Sequence, residues 1–406
     1  MTTSKIKKLE KGTITSPKGF SASGTHIGLK KKKLDLAVLY SEAPATAAAV
    51  YTLNQVQAAP IAVTKEAIAK EEKIQAVVIN SGNANACTGT QGIKDAKEMQ
   101  QLTAELFHIP SHYVAVSSTG VIGQLMPMDV VQKGIQNVTL QEEDGGKNFA
   151  TAILTTDTYT KTSAYQLELN GETITIAGVC KGSGMIHPNM ATMLAFITTD
   201  ANIEAAALKK ALSEVTNQTF NCITVDGETS TNDMVLVLAN GLASTHTLTE
   251  TDENYSLFVE ALRLVSEDLA KKIARDGEGA TKLIEVTVKG AKTNKEAGII
   301  AKKIAGSDLV KTAVYGKDAN WGRIICAIGH SEQPINPDTV DIAIGPINML
   351  AQSQPVVFDE EKASEYFEKN EKIEIFVDLH VGDGSQKAWG CDLTYDYVKI
   401  NASYRT

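Results

Sequence analysis

The sequence predicts an α/β or α+β fold with large sheets, and three observations support that prediction. Segments with strand patterns and segments with helix patterns alternate along the chain, as they do in mixed folds. The chain has 406 residues, 43% of them hydrophobic, which is enough for a large buried core. Neither a Pro/Ser-rich linker nor a repeat of solenoid period divides the sequence. Its length allows two or three domains or one large unit.

Apolar runs and alternating patterns predict the strands. Short apolar runs predict strands at 35–40, 75–79 and 113–117. A longer apolar run at 193–199 predicts a buried strand, and residues 282–288 alternate between apolar and polar side chains, as in a half-buried strand. Strands are thus predicted in both halves of the chain.

Helical spacing and end signals predict the helices. Apolar residues recur at helical spacing in 95–107. The segment 256–274 is strongly amphipathic, with one apolar face made of Phe258, Leu262, Val265, Leu269 and Ile273. Thr293 and Glu296 form a capping-box pattern that predicts the start of a helix, and Gly306 supplies a stop signal.

The charge balance excludes two classes of partner. The chain has 39 Lys and Arg residues against 48 Asp and Glu residues, a net charge of −9. Nucleic acids and anionic membranes favour a basic face, so neither is expected as a partner. The dense basic run at 30–33 precedes a strand-like stretch, and we interpret it as a solvated loop.

The cysteines and the N-terminal residues indicate a cytoplasmic protein. The five cysteines are odd in number and contain no CxxC pair, which fits a reducing compartment and gives no disulfide or zinc framework. Residues 1–11 are polar and lysine-rich, without the apolar core of a signal peptide, and no apolar run approaches the length of a membrane span. We therefore expect no metal and no membrane partner.

The most unusual stretch is 181–200. Gly182 and Gly184 permit backbone angles that other residues resist, and a proline follows before the pair Ala191-Thr192. Because the predicted strand at 193–199 comes next, a hydroxyl residue sits at a loop-to-strand junction after a small residue. That arrangement suits self-cleavage.

The chemistry of the junction is that of an N-terminal nucleophile. The Thr192 hydroxyl attacks the Ala191 carbonyl, an N-to-O acyl shift follows, and hydrolysis frees the Thr192 amine. An α-amino group has a pKa of roughly 7.7–8.0, so it can accept the proton of its own hydroxyl without a histidine base. The alternative interpretation is a tight turn that enters a core strand.

A resemblance to a known family favours cleavage. The stretch Lys181-Gly-Ser-Gly-Met-Ile…Pro-Asn-Met-Ala-Thr-Met-Leu resembles the processing signature of the ornithine acetyltransferase family of arginine biosynthesis, which includes the bifunctional glutamate N-acetyltransferases. Departures at 317–319 and in the last six residues affect only the pocket edge. The resemblance covers nearly the whole chain, because further segments match in order: Ser81-Gly-Asn-Ala-Asn-Ala-Cys87, Ser117-Ser-Thr-Gly-Val-Ile-Gly123, Thr155-Thr-Asp157, Asp226-Gly-Glu-Thr-Ser-Thr-Asn-Asp233, Arg275-Asp-Gly-Glu-Gly-Ala-Thr281 and Gly316-Lys-Asp-Ala-Asn-Trp-Gly-Arg323.

The resemblance implies a fold, a reaction and an assembly. The implied fold is a layered α/β sandwich with two mixed sheets stacked between helices. The implied reaction moves an acetyl group from N2-acetyl-L-ornithine to L-glutamate through acetyl-Thr192, without a metal or bound cofactor. Similar proteins sometimes also accept acetyl-CoA as a donor substrate. They assemble from two copies each of an N-terminal fragment, here 1–191, and a C-terminal fragment, here 192–406.

Site residues follow from the same resemblance. Thr119 and Gly120 are expected to form the oxyanion hole, although Ser-Thr-Gly is also an ordinary strand-end turn. Considered one at a time, the other positions have plainer alternatives. Lys181 would be a surface lysine and Glu278 a solvated loop charge. Asn401 would be a strand-end cap and Thr406 part of a frayed terminus. The residues expected to line the substrate pocket are Thr155, Lys181, Thr192, Glu278, Asn401 and Thr406.

Two other functions compete with acetyl transfer. An N-terminal-nucleophile aminopeptidase or amidase of related fold would pass the acyl group to water. A non-catalytic binding protein would keep the Ala191-Thr192 bond as an ordinary buried junction. The segments 226–233 and 316–323 are interpreted as loops beside the site or as simple turns, without a catalytic role, and Arg323 as a member of a structural ion pair. His187 is interpreted as a packing or surface residue.

Overall fold

The computed structural model of the chain describes residues 5–140, 143–187 and 193–403. It divides into two compact units. The first unit takes its described residues from Met1–Gly182, Asn189–Asn217 and Thr229–Leu269, and the second takes them from Ser183–Pro188, Gln218–Glu228 and Ala270–Thr406. The predicted fragments 1–191 and 192–406 are products of covalent cleavage rather than compact units, and they stay a prediction.

Strands and helices alternate along the chain. The strands are β1 Ile6–Lys8, β2 Phe20–Thr25, β3 Leu36–Tyr51, β4 Lys73–Asn83, β5 Val114–Val121, β6 Lys161–Leu169, β7 Glu172–Lys181, β8 Leu194–Thr199, β9 Met234–Ala239, β10 Leu283–Ala291, β11 Asp341–Ile344, β12 Ile347–Ala351, β13 Gln354–Pro355, β14 Lys372–Asp378 and β15 Gly384–Cys391. The helices are α1 Ala59–Glu71, α2 Gly89–Phe107, α3 Met128–Gln136, α4 Gly145–Ala152, α5 Ala205–Gln218, α6 Tyr255–Arg275, α7 Asn294–Ala305, α8 Asp308–Tyr315, α9 Trp321–Gly329, α10 Glu360–Lys369 and α11 Tyr395–Ala402.

The first unit is built on a mixed sheet of nine strands. Its order is β1-β6-β7-β8-β9-β3-β4-β5, with β2 paired to β3 beside this path. The pairs β8–β9 and β4–β5 are parallel, and the other neighbours are antiparallel. In consequence the end of β7, the start of β8 and the start of β9 lie side by side in the sheet.

Apolar clusters cover both faces of this sheet. Successive side chains of a strand point to opposite faces, and β3 shows the effect. Leu36 and Val38 belong to a cluster with residues of α1, α2 and α3, whereas Ala37 and Leu39 belong to a cluster with residues of α4. Helices and sheet therefore form layers within the first unit, as a sheet buried on both faces requires.

The second unit is built on a mixed sheet of six strands in the order β13-β12-β11-β14-β10-β15. Among the described strands of this second sheet, only the pair β10–β14 is parallel. Helix α7 packs against β10 and β15 with Ile300 and Ile304 buried. The Thr293 side chain accepts a hydrogen bond from the Glu296 backbone N–H at 3.2 Å, as the capping pattern predicts.

The fold-class prediction is confirmed as a mixed α/β chain with two mixed sheets. Every predicted strand and helix lies within an observed element or overlaps it, although β3 extends the strand predicted at 35–40 to Tyr51. The stop signal Gly306 does follow α7, but its φ of −95° is not the left-handed conformation that favours glycine. In the part of the chain that the structure describes, no helix has the length and apolar character to cross a bilayer.

Candidate functional site

In the sequence, the predicted cleavage junction follows β7 and precedes β8, two strands that are neighbours in the first sheet. Ala191 and Thr192 lie outside the described residues, as does Thr406. Lys181, the last residue of β7, pairs with Leu194, the first residue of β8, and Leu194 pairs with Met234 on β9. Leu194, two residues after Thr192 in sequence, thus lies between Lys181 on one side and the start of β9 on the other.

Lys181 and Thr119 are brought into contact, although 62 positions separate them in sequence. The Lys181 ammonium donates a hydrogen bond to the Thr119 hydroxyl oxygen at 3.3 Å. Thr119 is 7% exposed and Lys181 is half-buried, so Lys181 is not a free surface lysine. A hydroxyl has one proton and two lone pairs. With one lone pair facing the ammonium, the Thr119 proton is available to a second acceptor.

Gly120 occupies a position where a side chain cannot fit. Its φ is +138°, and a Cβ atom added there would lie 2.3 Å from the backbone carbon of Gly82. Gly82 is the partner of Gly120 across the parallel β4–β5 pair. The glycine therefore allows two backbones to approach closely at the end of β5, next to Thr119.

Asp157 is a buried carboxylate that binds the backbone of the predicted pocket residue Thr155 and of Gly182, which follows the pocket residue Lys181. Its Oδ1 accepts the Gly182 backbone N–H at 2.7 Å, and its Oδ2 accepts the Thr155 backbone N–H at 3.1 Å. Lys161 donates to Oδ1 at 2.5 Å, and both side chains of this ion pair are 0% exposed. Burial alone would raise the pKa of Asp157, but Lys161, Lys181 and the Gly182 N–H hold it below its usual value.

Lys30 corrects the interpretation of the basic run as a wholly solvated loop. Residues 31–33 are exposed, but Lys30 is partly buried. Its ammonium donates to the carbonyl oxygens of Leu34 at 3.0 Å and Leu154 at 2.6 Å, and burial lowers its pKa to about 8. Lys30 thus fixes the loop that leads into Thr155, which a run of four lysines in the sequence did not reveal.

Asp233 adds a second buried carboxyl next to β9. It is 3% exposed, and its Oδ2 has no hydrogen-bond partner among the described residues. Burial raises the pKa of Asp233 well above its usual value, while the Lys181 charge works in the opposite direction. Sequence analysis placed Asp233 only in a polar loop, because the burial of a loop carboxyl leaves no pattern in a single sequence.

The remaining described pocket residues, Glu278 and Asn401, meet in the second unit. Asn401 donates from Nδ2 to Glu278 Oε2 at 2.8 Å, and Glu278 is 7% exposed. A Cβ atom on Gly184 would lie 2.4 Å from the Glu278 carboxyl carbon. Glu278 is therefore a buried carboxylate rather than a solvated loop charge, and Asn401 lies on α11 rather than at a strand end.

Other residues singled out from the sequence have structural contacts. His187 lies 2.9 Å from the Thr224 hydroxyl, and burial, followed by Lys302 and Lys303, lowers its pKa to about 4. Arg323 donates to the Leu309 carbonyl at 2.8 Å, a hydrogen bond rather than an ion pair. Within the described ranges, no group of three or more His, Cys, Asp or Glu side chains is arranged to hold a metal ion.

Comparison with known proteins decides the family. The sequence profile of the ArgJ family matches residues 21–406. The arginine biosynthesis bifunctional protein ArgJ of Halalkalibacterium halodurans is 60% identical over 405 residues, covering 100% of this chain and 98% of the relative. The protein of the same name from Geobacillus kaustophilus is 59% identical over 408 residues, with coverage of 100% and 98%.

The chain belongs to the ArgJ family. The resemblance to the ornithine acetyltransferase family of arginine biosynthesis is thereby confirmed, and with it the prediction of an enzyme of arginine biosynthesis. The crystal structure of arginine biosynthesis bifunctional protein ArgJ from Bacillus halodurans is 62% identical, with a TM-score of 0.50, and the match covers 51% of this chain and 97% of that chain. Ornithine acetyltransferase from Mycobacterium tuberculosis, solved in complex with ornithine, is 37% identical with a TM-score of 0.43, over 46% of this chain and 100% of that chain.

Proposed function

We propose that this ArgJ protein transfers an acetyl group from N2-acetyl-L-ornithine to L-glutamate through an acetyl ester on Thr192. The observation that carries the proposal is the match to bifunctional ArgJ proteins over the full length of the chain. The contact between Lys181 and Thr119 supports it, because it joins a cation to a hydroxyl next to a glycine that leaves no room for a side chain.

In the first half-reaction Thr192 Oγ attacks the acetyl carbonyl carbon, and its proton passes to the Thr192 amine. Thr119 and Gly120 donate hydrogen bonds to the oxyanion of the tetrahedral intermediate. The bond from carbon to the ornithine nitrogen then breaks, and the Thr192 ammonium returns the proton to the departing amine. In the second half-reaction the glutamate amine attacks the ester, so that N-acetylglutamate leaves and the Thr192 hydroxyl is restored.

Charge complementarity assigns the substrate contacts. The Lys181 ammonium is a point charge suited to the α-carboxylate of acetylornithine or glutamate. Glu278 has the sign needed for the side-chain ammonium of ornithine, with Thr155, Asn401 and Thr406 adding hydrogen bonds. The proposal includes no metal or bound cofactor, and acetyl-CoA enters only as an alternative acetyl donor.

Cleavage between Ala191 and Thr192 would precede the reaction, because it frees the amine that acts as base. The solved ArgJ chain from Bacillus halodurans supports a protein in two pieces, since it corresponds to 51% of this chain yet is matched over 97% of itself. The ArgJ sequence from Halalkalibacterium halodurans, by contrast, matches the full chain. We further propose a cytoplasmic assembly of two N-terminal and two C-terminal fragments.

Replacing Thr119 by valine tests the oxyanion assignment. Valine keeps the shape of threonine but has no proton to donate, so kcat for acetyl transfer is expected to fall about 10²–10³-fold with a smaller change in KM. Steady-state kinetics with acetylornithine and glutamate measure both constants. Serine at the same position keeps the hydroxyl and should retain most of the activity; a valine variant with normal kcat would contradict the assignment.

Replacing Lys181 by methionine tests the substrate contact. Methionine preserves the length of the side chain but removes the charge, so kcat/KM for acetylornithine should fall about tenfold or more, mainly through KM. The same assay run with and without glutamate separates transfer from hydrolysis. If acetylornithine is consumed as quickly without glutamate, the chain is an amidase and the transferase proposal is wrong.

A further inference from the structure

The last described residues before the predicted cleavage site belong to the second unit, and side chains and backbone groups of that same unit hold them. Ser183 donates from its hydroxyl to the Asp276 carbonyl at 2.6 Å, and its own carbonyl accepts the Glu278 N–H at 3.1 Å. The Ile186 carbonyl accepts the Val225 N–H at 2.7 Å. These contacts fix both ends of a five-residue segment, 183–187, which we call the approach segment.

Asp226 binds the middle of the approach segment through both of its carboxylate oxygens. Its Oδ2 accepts the Met185 N–H at 2.7 Å, and its Oδ1 accepts the Ile186 N–H at 2.9 Å. Hydrogen bonds from backbone N–H groups to a carboxylate are stronger than those to a neutral acceptor. Asp226 lies in the polar loop at 226–233, and no residue of this loop has a role in the acetyl transfer proposed above.

Asp226 holds Met185 in a backbone conformation that methionine would not adopt without outside constraint. Met185 has a φ of +56°, in the left-handed region that costs an L residue energy unless the surroundings impose it. Met185 is 45% exposed, so burial of the methionine does not explain the conformation. Asp226, which binds the N–H groups on both sides of the Met185 Cα, supplies the constraint.

We propose that Asp226 is a positioning residue for self-cleavage, which holds the approach segment in the conformation from which the Ala191–Thr192 bond is cut. This inference rests on the proposed function, because it concerns the step that generates the Thr192 amine. Asp226 acts by restricting the backbone ahead of the cleavage site.

Changing Asp226 to asparagine tests the proposal with little change of shape. The asparagine carbonyl accepts one N–H, but its NH₂ group cannot accept the other, so one of the two backbone bonds is lost. We expect the rate at which the full-length chain is converted to two fragments to fall about tenfold or more. A denaturing gel of the freshly synthesised chain over time measures that rate.

Glu228→Gln is the matched control, since it removes the same charge from the same loop at an exposed side chain that binds neither N–H group. It should cleave at the wild-type rate. Adding Met185→Gly to the Asp226→Asn variant should restore part of the rate, because glycine adopts a positive φ without cost.

The outcomes separate the two proposals. If the wild-type chain never cleaves, the proposed function is wrong. If the wild type and the Asp226→Asn variant cleave at the same rate, only the positioning role is overturned.

Thermal unfolding of the Asp226→Asn variant in an uncleavable Thr192→Ala background shows whether it folds. A slow, folded variant that Met185→Gly accelerates supports the proposal; a slow, folded variant that Met185→Gly leaves unchanged overturns it. Should Asp226→Asn fail to fold, the Met185→Gly variant alone decides: it should cleave at least as fast as wild type, and slower cleavage overturns the proposal.

Discussion

The Thr192→Ala variant is expected to remain one uncleaved chain without measurable acetyl transfer. Alanine has no hydroxyl to attack the preceding carbonyl, and the same missing oxygen is the one that would carry the acetyl group. Both losses come from one atom, so this substitution has the largest expected effect on function. A denaturing gel and an assay with acetylornithine and glutamate measure the two losses on one preparation.

The Thr192→Ser variant is the matched control, because it keeps the hydroxyl and removes only a methyl group. It should still cleave, and the cleaved material should still transfer acetyl groups, at a reduced rate. N-terminal sequencing adds a direct check, since the C-terminal fragment of the wild type should begin Thr-Met-Leu-Ala-Phe. Active wild-type enzyme with an intact Ala191–Thr192 bond would contradict the N-terminal nucleophile.

Periodic features of the fold were predictable from the sequence, whereas contacts across it were not. Each predicted strand and helix depends on side chains close in sequence, and the capping bond between Thr293 and Glu296 spans three residues. The contact between Thr119 and Lys181, by contrast, depends on the sheet order, which places β5 and β7 in one sheet with four strands between them. One sequence read for periodicity contains no signal for that order.

Buried charges show the same limit at the site. Asp157 is part of a Thr-Thr-Asp motif that sequence analysis identified. Its partner Lys161 is the first residue of β6, and a lysine at the start of a strand gives no sign in the sequence that it is buried. Lys30 appeared as one of four equivalent lysines, and only the structure separates it from its three exposed neighbours. From the sequence alone a charged residue is expected to be exposed to solvent. The few charged residues that are buried and paired are therefore identified only from the structure.

The Lys161→Met variant should lose about 3–5 kcal/mol of stability at neutral pH, because it leaves the Asp157 carboxylate buried without its counter-ion. Lys161 and Asp157 are both 0% exposed, so water cannot replace the lost cation without a rearrangement. Urea unfolding in the Thr192→Ala background measures the loss on one continuous chain. The predicted substrate pocket should also become less ordered, since Asp157 fixes the Gly182 and Thr155 backbone N–H groups.

The pH dependence distinguishes a lost ion pair from lost packing. The pKa of Asp157 lies below its usual value in the folded wild type, so this pair stabilises the fold above about pH 4 and less as the pH falls through the folded pKa. The stability difference between wild type and Lys161→Met should therefore shrink in acid. The double variant Asp157→Asn/Lys161→Met, which removes both charges, should recover part of the loss at neutral pH. A difference that stays constant from neutral to acid pH would mean that the methionine merely packs badly.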